Sequence, residues 1–468
     1  MTPLAQIKKD PSFSAAAERF VAQFEKFPHS NQINGPNGTS EWLGRFKRQA
    51  AIKFEALGFP TSRDEEWKFT NLASFSKTVF DLASHESGVG AERLTAEKIQ
   101  RLTFGQVKCN QLVFFNGQFC PELSVLRALP QGTEISSLGM MLWNQSERIR
   151  PRLMAEFERD HKTADAFQVL NSALFENGAY VYLPHGAQVQ DPIHLVFVSA
   201  GLGTPTASHP RNLIVADEGA SATVIESYVE LPMNGETRQS YLTNALTQVV
   251  LGDAARVDHY KFQHESDVAF HVGSLRVHQG RSSHFASHVL SLGGSLVRND
   301  VSVLLGGVGA ACILNGVYAT TGSMHVDNHT VVDHAKPRCS SREFYKGILG
   351  GASRGVFSGK IIVREDAQKS DARQENKNLL LSDEATIHTK PELAILADDV
   401  KCTHGATIGR MDSEALFYLR SRGVPEASAR NILTAAFASD ILGQIQVEQL
   451  RQKVAEILAQ LFSVGRTA

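Results

Sequence analysis

The sequence predicts a mainly β protein with a helical region on each side of a central β core. The length of 468 residues allows about three folding units. Between 178 and 408 the chain consists of short apolar, β-branched runs interrupted by Gly, Asp and Asn. Before and after this core, apolar residues recur every three or four positions, as in amphipathic helices. We therefore expect a mainly helical region at 1–177, a β core at 178–408 and a helical region at 409–468.

Two helices are predicted near the N-terminus. The first has five apolar residues spaced by three or four positions, which places them on one face: Phe13, Ala17, Phe20, Phe24 and Phe27. The second covers 41–57 and ends at Gly58, with Pro60 beyond it, a typical helix C-terminus.

An extended piece at 112–115, with a turn at Asn116-Gly117, interrupts these helices. A long helical pattern then resumes near Met140 and continues to about Glu176.

The β core contains a weak internal repeat in which Gly or Glu and a second residue precede an apolar run. Seven such pairs occur, spaced by 33, 28, 29, 42, 33 and 21 residues: Gly219-Ala220, Gly252-Asp253, Gly280-Arg281, Gly309-Ala310, Gly351-Ala352, Glu384-Ala385 and Gly405-Ala406. Periods of this size are typical of a β-solenoid, because each turn needs one corner residue that lets the backbone bend. A β-sandwich also has short strands with regular turns, so the pattern alone leaves both folds open.

The C-terminal region predicts three helices. Asp412 can cap the first, which ends at Gly423, and a second extends to about Leu442. The last carries a single apolar stripe: Leu450, Val454, Ile457, Leu458 and Leu461. A helical tail of this length must either fold back on the β core or offer an apolar face to a partner.

Composition excludes several classes of protein. Lys and Arg total 47 against 49 Asp and Glu, a formal charge of −2, which argues against nucleic-acid or anionic-membrane binding. We find no apolar segment that predicts a signal peptide or membrane span, and the five cysteines form no Cys-x-x-Cys pair, so we expect a cytoplasmic protein.

The stretch Gly355 to Lys360 is too short between its glycines for a phosphate-binding loop. Any ATP chemistry must therefore come from elsewhere.

One polar cluster could support an enzyme. His325, Asp327 and His329 alternate along a predicted strand, so two imidazoles and a carboxylate would share a face and could bind a divalent metal ion. The competing interpretation is that these side chains make hydrogen bonds between strands. We keep a metal-dependent enzyme as the alternative function.

A second candidate site lies near the end of the β core. Cys402 and His404 would point the same way from an extended strand, which places a thiolate and an imidazole roughly 7 Å apart and within reach of one metal ion or cluster. The competing interpretation is an inert, buried cysteine.

The residues around this site resemble the C-terminal signature of the SufB/SufD family of iron–sulfur cluster assembly proteins. The similar segments are DDVKCTHGATIG at 398–409, LFYLRSRG at 416–423, RDEEWKFT at 63–70, and the stretches 325–346 and 374–382. The WKFT segment and overall layout resemble the D-type member. B-type members carry a sulfur-accepting Cys after a DEG turn, whereas this chain has Tyr228 there, so we expect no persulfide at that position.

The resemblance implies a right-handed parallel β-helix and a non-catalytic scaffold subunit. Such a subunit pairs with SufB through the β-helix cores, and its C-terminal helices bind the ATPase SufC; a homodimer could form in isolation. His404 or Cys402 would ligate iron or a transient cluster at the SufB interface, with no cofactor held tightly by the isolated chain. The resemblance leaves open iron delivery and flavin binding. The predicted SufC contacts lie on the helices from Asp412 to about Leu442: Leu416, Phe417, Tyr418, Leu419, Arg420 and Arg422.

Overall fold

The computed structural model describes residues 11–26, 34–35, 38–39, 41–83, 93–160, 165–201, 203–232 and 238–462. These residues form nine α-helices: α1 (Pro11–Lys26), α2 (Glu41–Leu57), α3 (Ala73–Lys77), α4 (Ala96–Leu102), α5 (Leu138–Asp160), α6 (Ala166–Leu174), α7 (Ser413–Ser421), α8 (Glu426–Leu442) and α9 (Glu448–Leu461). No helix within the described residues is long and apolar enough to cross a membrane.

The strands of the described residues fall into an N-terminal group and a core group. The first group comprises β1 (Asn34–Gly35), β2 (Gly38–Thr39), β3 (Asp81–Leu82), β4 (Asn110–Phe115), β5 (Gln118–Phe119), β6 (Glu134–Ser137), β7 (Ala179–Leu183), β8 (Ile193–Ser199), β9 (Thr206–Ser208) and β10 (Arg211–Ala216). The second comprises β11 (Ser221–Glu230), β12 (Tyr241–Leu251), β13 (Arg256–His264), β14 (Phe270–Gln279), β15 (His284–Ser291), β16 (Leu296–Leu305), β17 (Ala311–Thr320), β18 (His325–His334), β19 (Ser340–Leu349), β20 (Arg354–Val363), β21 (Asp371–Leu380), β22 (Thr386–Ile395) and β23 (Lys401–Arg410).

The core strands build a β-solenoid, which confirms the parallel β-helix core implied by the family resemblance and excludes the sandwich that the strand pattern alone left open. Each strand pairs in parallel with the strand two positions further along the chain, so successive strands alternate between two sheets. The first sheet ends at β22 and the second at β23. A sandwich would instead pair strands antiparallel through hairpins and Greek-key connections. The mainly β prediction with flanking helices is confirmed.

Small residues inside the solenoid make room for large ones. A Cβ atom at Gly316 would lie 2.1 Å from the ring of Tyr345, and one at Gly347 would lie 2.4 Å from the ring of Tyr318. Since the strands stack directly, a large interior ring needs a neighbour without a side chain. Both tyrosines are fully buried in the apolar core.

Six of the seven predicted corner pairs lie in the turns before strands, with at most two residues between the pair and the strand, as expected. The seventh prediction is wrong, because Gly405-Ala406 lies in the middle of β23. The irregular spacing of 42 also has a structural cause. Gly309 precedes β17 of the second sheet, whereas Gly351 precedes β20 of the first sheet, so the repeat changes sheets between them.

The N-terminal predictions are largely confirmed. Helix α1 buries Phe13, Ala17 and Phe20, while Phe27 lies outside the described residues, and α2 has the predicted bounds. The extended piece is β4, which turns at Asn116-Gly117 into the antiparallel β5.

The long helical pattern predicted from near Met140 to about Glu176 is divided between two helices. The structure has two helices there, α5 and α6. Asp165 begins the second one, because its side chain accepts a hydrogen bond from the Gln168 backbone amide.

The C-terminal helices divide into a packed pair and an exposed helix. Four residues of the predicted stripe on α9 are buried against the solenoid, and Leu461 packs at their margin. Lys346 on β19 fixes α8 by donating hydrogen bonds to the Phe437 carbonyl oxygen at 2.5 Å and to Asp440 at 2.6 Å. Helix α7 has no buried residue. The tail therefore both folds back on the core and offers an exposed face.

Candidate functional site

The last turn of the solenoid is formed by β22 and β23, and each strand pairs on one side only. β22 pairs with β20, and β23 pairs with β21, with no further strand beyond them in the described chain. Nearly every residue of β23 is exposed, in contrast to the buried interior strands before it. We call these two strands the open end of the solenoid. Their outer edges carry unpaired backbone N–H and C=O groups, the arrangement to which another strand can add.

Cys402 and His404 both lie on β23 and face the solenoid interior. Their register partners on β21 are Ala372 and Gln374, which are fully buried inside the solenoid. The two residues therefore share a face, and no further turn of the described solenoid covers them.

The two side chains differ in their surroundings. Cys402 is half-buried and packs beside a small apolar cluster that contains Ile361 and Val363, whereas His404 is exposed. Burial raises the pKa of the Cys402 thiol. In the isolated chain Cys402 is therefore a thiol rather than the predicted thiolate, and His404 is the more accessible ligand.

A row of polar side chains leads inward from His404. In the parallel register, Glu343 on β19 lies beside Gln374 on β21, which lies beside His404. Gln374 donates a hydrogen bond from Nε2 to Glu343 Oε2 at 2.6 Å, and both residues are buried. Burial raises the pKa of the Glu343 carboxyl group to about 7.

Sequence reasoning missed Glu343 and Gln374. The sequence pattern that could have indicated them is a polar residue at the same strand position in consecutive turns of roughly 30 residues. This pattern becomes visible only after the strands are aligned as a solenoid.

The alternative metal site at His325, Asp327 and His329 is wrong. His329 contacts Asp327 through Nε2 at 3.0 Å and Glu66 through Nδ1 at 3.2 Å. These carboxylates raise the pKa of His329 to about 9 despite its burial, so both ring nitrogens carry protons and neither has a lone pair for a metal ion. Among the residues that the structure describes, no group of three His, Cys, Asp or Glu side chains could hold a metal ion.

These residues instead attach the N-terminal segment 63–70 to the outer face of the first sheet. Thr70 donates to Asp327 Oδ2 at 2.5 Å and lies 2.9 Å from His325 Nε2. The guanidinium group of Arg298 lies 3.9 Å from the ring centre of Trp67 and donates to Asp327 at 2.7 Å. The WKFT segment is therefore a structural attachment.

Segment 63–70 reaches the edge of the open end. The ring of Phe69 stacks on His388 of β22 with their centres 4.2 Å apart, and Lys390 contacts Glu65 at 3.0 Å.

The six residues predicted to bind a partner lie on or just after α7, at the surface. Phe417 and Tyr418 are 74% and 58% exposed, while Leu416 and Leu419 are half-buried. Arg420 contacts Glu426 at 3.4 Å, and the Arg422 guanidinium group lies 5.3 Å from the ring centre of Tyr418. These apolar side chains do not fill a local core, which leaves a surface of aromatic residues with charged neighbours.

Tyr228 lies inside the solenoid, far along the chain from the open end. Its hydroxyl group donates to Glu226 Oε2 at 2.8 Å, and its ring stacks on Phe197 with centres 4.8 Å apart. A phenol in this packed position has no nucleophilic thiol to accept sulfur.

Comparison with known proteins identifies the family. Residues 197–437 match the family described as SUF system FeS cluster assembly, SufBD core domain, and residues 20–195 match the SufBD protein N-terminal region. The chain belongs to the SufBD family. It is 32% identical over 427 residues to an iron–sulfur cluster assembly SufBD family protein of Synechocystis, which covers 90% of this chain and 92% of that protein.

Two further SufBD relatives cover nearly the whole chain. The iron–sulfur cluster assembly protein SufD of Escherichia coli is 30% identical over 445 residues, or 92% of this chain and 98% of that protein. Protein ABCI7, chloroplastic, of Arabidopsis thaliana is 27% identical over 456 residues, or 96% of this chain and 91% of that protein. The similarity therefore includes the open end as well as the N-terminal segment.

Proposed function

We propose that this chain is the SufD-type scaffold subunit of a SufBCD complex and assists the assembly and transfer of nascent iron–sulfur clusters. The observation that carries the proposal is the open end, where two unpaired strand edges surround an accessible imidazole, His404. A non-catalytic role is supported by the use of His325, Asp327 and His329 for hydrogen bonding and ion pairing.

SufB is the proposed partner at the open end. Two strands of ten residues each offer a free edge, and apolar side chains lie beside or on them, including Leu396 at 68% exposure and Ile408 at 51%. A second β-solenoid can pair with both edges and cover these side chains, which removes unpaired backbone groups from the interface. A homodimer would use the same surface when SufB is absent.

His404 and Cys402 are the proposed ligands for iron or a transient cluster, which is the cargo of the complex. Imidazole binds iron and exchanges readily, as transfer of the cluster requires. The pair offers two ligands, and we propose that SufB supplies the remaining ones. Cys402 can join once the covering partner and the metal favour its thiolate form.

SufC is the proposed partner of α7 and α8. Exposed aromatic side chains with adjacent arginines are typical of interface anchors, and Phe417, Tyr418 and Arg422 have this composition. Since α8 and α9 are packed on the solenoid, movement of an ATPase bound to α7 could be transmitted to the open end that directly precedes it.

The proposed compartment is the cytoplasm. All five cysteines are free, and four are buried, so the described fold uses no disulfide that an oxidising compartment would provide.

Replacing His404 by Ala tests the cluster site. We expect the H404A complex with SufB and SufC to assemble normally but to lose most of its capacity to form a cluster during anaerobic reconstitution, measured by visible absorption and iron content. The matched control is T403A, which changes the adjacent outward-facing residue of the same exposed strand. Equal cluster formation by both variants would contradict the ligand assignment.

The double variant F417A/Y418A tests the SufC surface. We expect SufC binding to weaken by more than tenfold in titration calorimetry, because exposed aromatic anchors dominate interface energies. I52A is the control, since Ile52 is an equally exposed apolar residue on α2, at 60% exposure. Unchanged SufC affinity in the double variant would exclude α7 as the binding surface.

A further inference from the structure

Gln374 lies in a position that can fix the orientation of the His404 ring. It lies directly beside His404 in the register between β21 and β23, and both residues face the interior. Gln374 is fully buried, and its amide oxygen Oε1 has no hydrogen-bond partner among the described residues. A buried acceptor without a donor is unfavourable, so this atom marks a place where a donor is expected.

Glu343 occupies one end of the Gln374 amide. The Nε2 atom of Gln374 donates to Glu343 Oε2 on the inner side of the row. Because the oxygen and nitrogen of a side-chain amide diverge from the same carbon, Oε1 takes no part in this contact and stays an unused acceptor. The network thus leaves an acceptor on the residue that is the register partner of His404.

The opposite wall of the solenoid leaves space for this amide. A Cβ atom at Gly359 would lie 2.2 Å from Gln374 Nε2, so only glycine fits there. Glycine also has no side-chain donor that could bind Oε1. Along the row of Glu343, Gln374 and His404, the next side chain that carries an N–H group is the imidazole of His404.

We propose that Gln374, held by Glu343, is a positioning residue that accepts a hydrogen bond from one ring nitrogen of His404 and thereby directs the other nitrogen out of the open end. Its importance for clusters rests on the proposed function of His404. Histidine ligands commonly donate their second ring N–H to a protein acceptor, which selects the tautomer and fixes the ring plane.

The test uses the full chain labelled with ¹⁵N-histidine and compares Q374L with the wild type. The His404 ring signals are assigned from their loss in H404A. We expect the wild-type ring to favour one neutral tautomer at alkaline pH, and Q374L to reduce that preference by about threefold, because one hydrogen bond is lost. The same tautomer ratio in both proteins would overturn the proposal.

Two further variants separate positioning from a purely structural role. N376L is the matched control, since Asn376 is a buried amide on the same strand but lies beside Ala406. It should leave the His404 tautomers unchanged; a change equal to that in Q374L would show a general disturbance and overturn the proposal.

The exchange variant E343Q/Q374E keeps the total charge and the hydrogen bond between the two residues, so it guards against misfolding of Q374L. Its carboxyl group at position 374 keeps an acceptor oxygen in the residue beside His404, so the tautomer preference of the wild type should be retained. A loss of that preference as large as in Q374L would overturn the proposal. These measurements use neither a cluster nor a partner protein. A negative result would therefore refute the positioning role of Gln374 without affecting the H404A test of the proposed function. A negative H404A result would likewise leave the tautomer measurement valid.

Discussion

The two ends of the solenoid are built differently. At the N-terminal end, the antiparallel strands β6 and β5 close the two sheets, and the strands next to them are buried almost completely. At the C-terminal end, no strand of the described chain covers β22 and β23, and the interior row of the solenoid reaches the surface at His404.

Because of this difference, the covered end contributes mainly to stability, whereas the uncovered end is available for function. A strand paired on both sides contributes to the core and tolerates little change, whereas an uncovered strand contributes few contacts and retains its edge for a partner. The same interior row therefore begins with packed apolar residues such as Val224 and ends with an accessible imidazole.

The largest expected difference in stability between the two ends comes from introducing an aspartate at each of them. L195D changes a residue that is 0% exposed on β8, between β4 and β11, and should cost more than about 4 kcal/mol or prevent folding, because the carboxylate is buried without a partner. A406D on the exposed β23 should change the free energy of unfolding by less than about 0.5 kcal/mol. Urea unfolding followed by circular dichroism measures both. A comparable loss in A406D would show that the open end is packed after all.

A second comparison concerns two aspartates on β18. Asp327 is 1% exposed and accepts hydrogen bonds from Arg298 and Thr70, so D327A should cost about 2 to 4 kcal/mol by breaking this buried network, although Asp300 still pairs with Arg298. D333A removes a partly exposed contact with Arg364 and should cost less than about 1 kcal/mol. Chemical unfolding of the two variants checks this order. Equal losses would mean that segment 63–70 is not anchored by Asp327.

The smallest expected effect is a pH dependence near the open end. The pKa of Glu343 is raised from 4.5 to about 7, so the folded state retains a proton that the unfolded chain releases between these values. Stability from this group therefore falls as pH rises from 4.5 to 7 and then stays constant. E343Q has no titrating group at this position, so it does not lose this stability. The free energy of unfolding of E343Q minus that of the wild type should therefore be about 2 to 3 kcal/mol greater at pH 8 than at pH 5. Urea titrations at both values measure the change; a pH-independent difference would contradict it.

Local features were predictable where the signal lies in neighbouring residues. Helix α2 has the predicted bounds because Gly58 adopts a left-handed conformation, with φ of 61°, and Pro60 follows. The turn at Asn116-Gly117 was found for the same reason, since both residues have positive φ. The pair Gly405-Ala406 was wrongly predicted to be a solenoid corner, because a glycine within an exposed strand has the same local sequence pattern as a corner.

The sequence by itself determined the succession of helical, β and helical regions, the family, and the placement of Cys402 and His404 on one strand, because these depend on short-range periodicity and on contiguous motifs. Only the tertiary structure decided how the solenoid strands pair and that His325, Asp327 and His329 serve attachment. It alone aligned Glu343 and Gln374 with His404. The physical reason is that these contacts join residues a full solenoid turn apart or further, and their alignment depends on the path of every intervening turn.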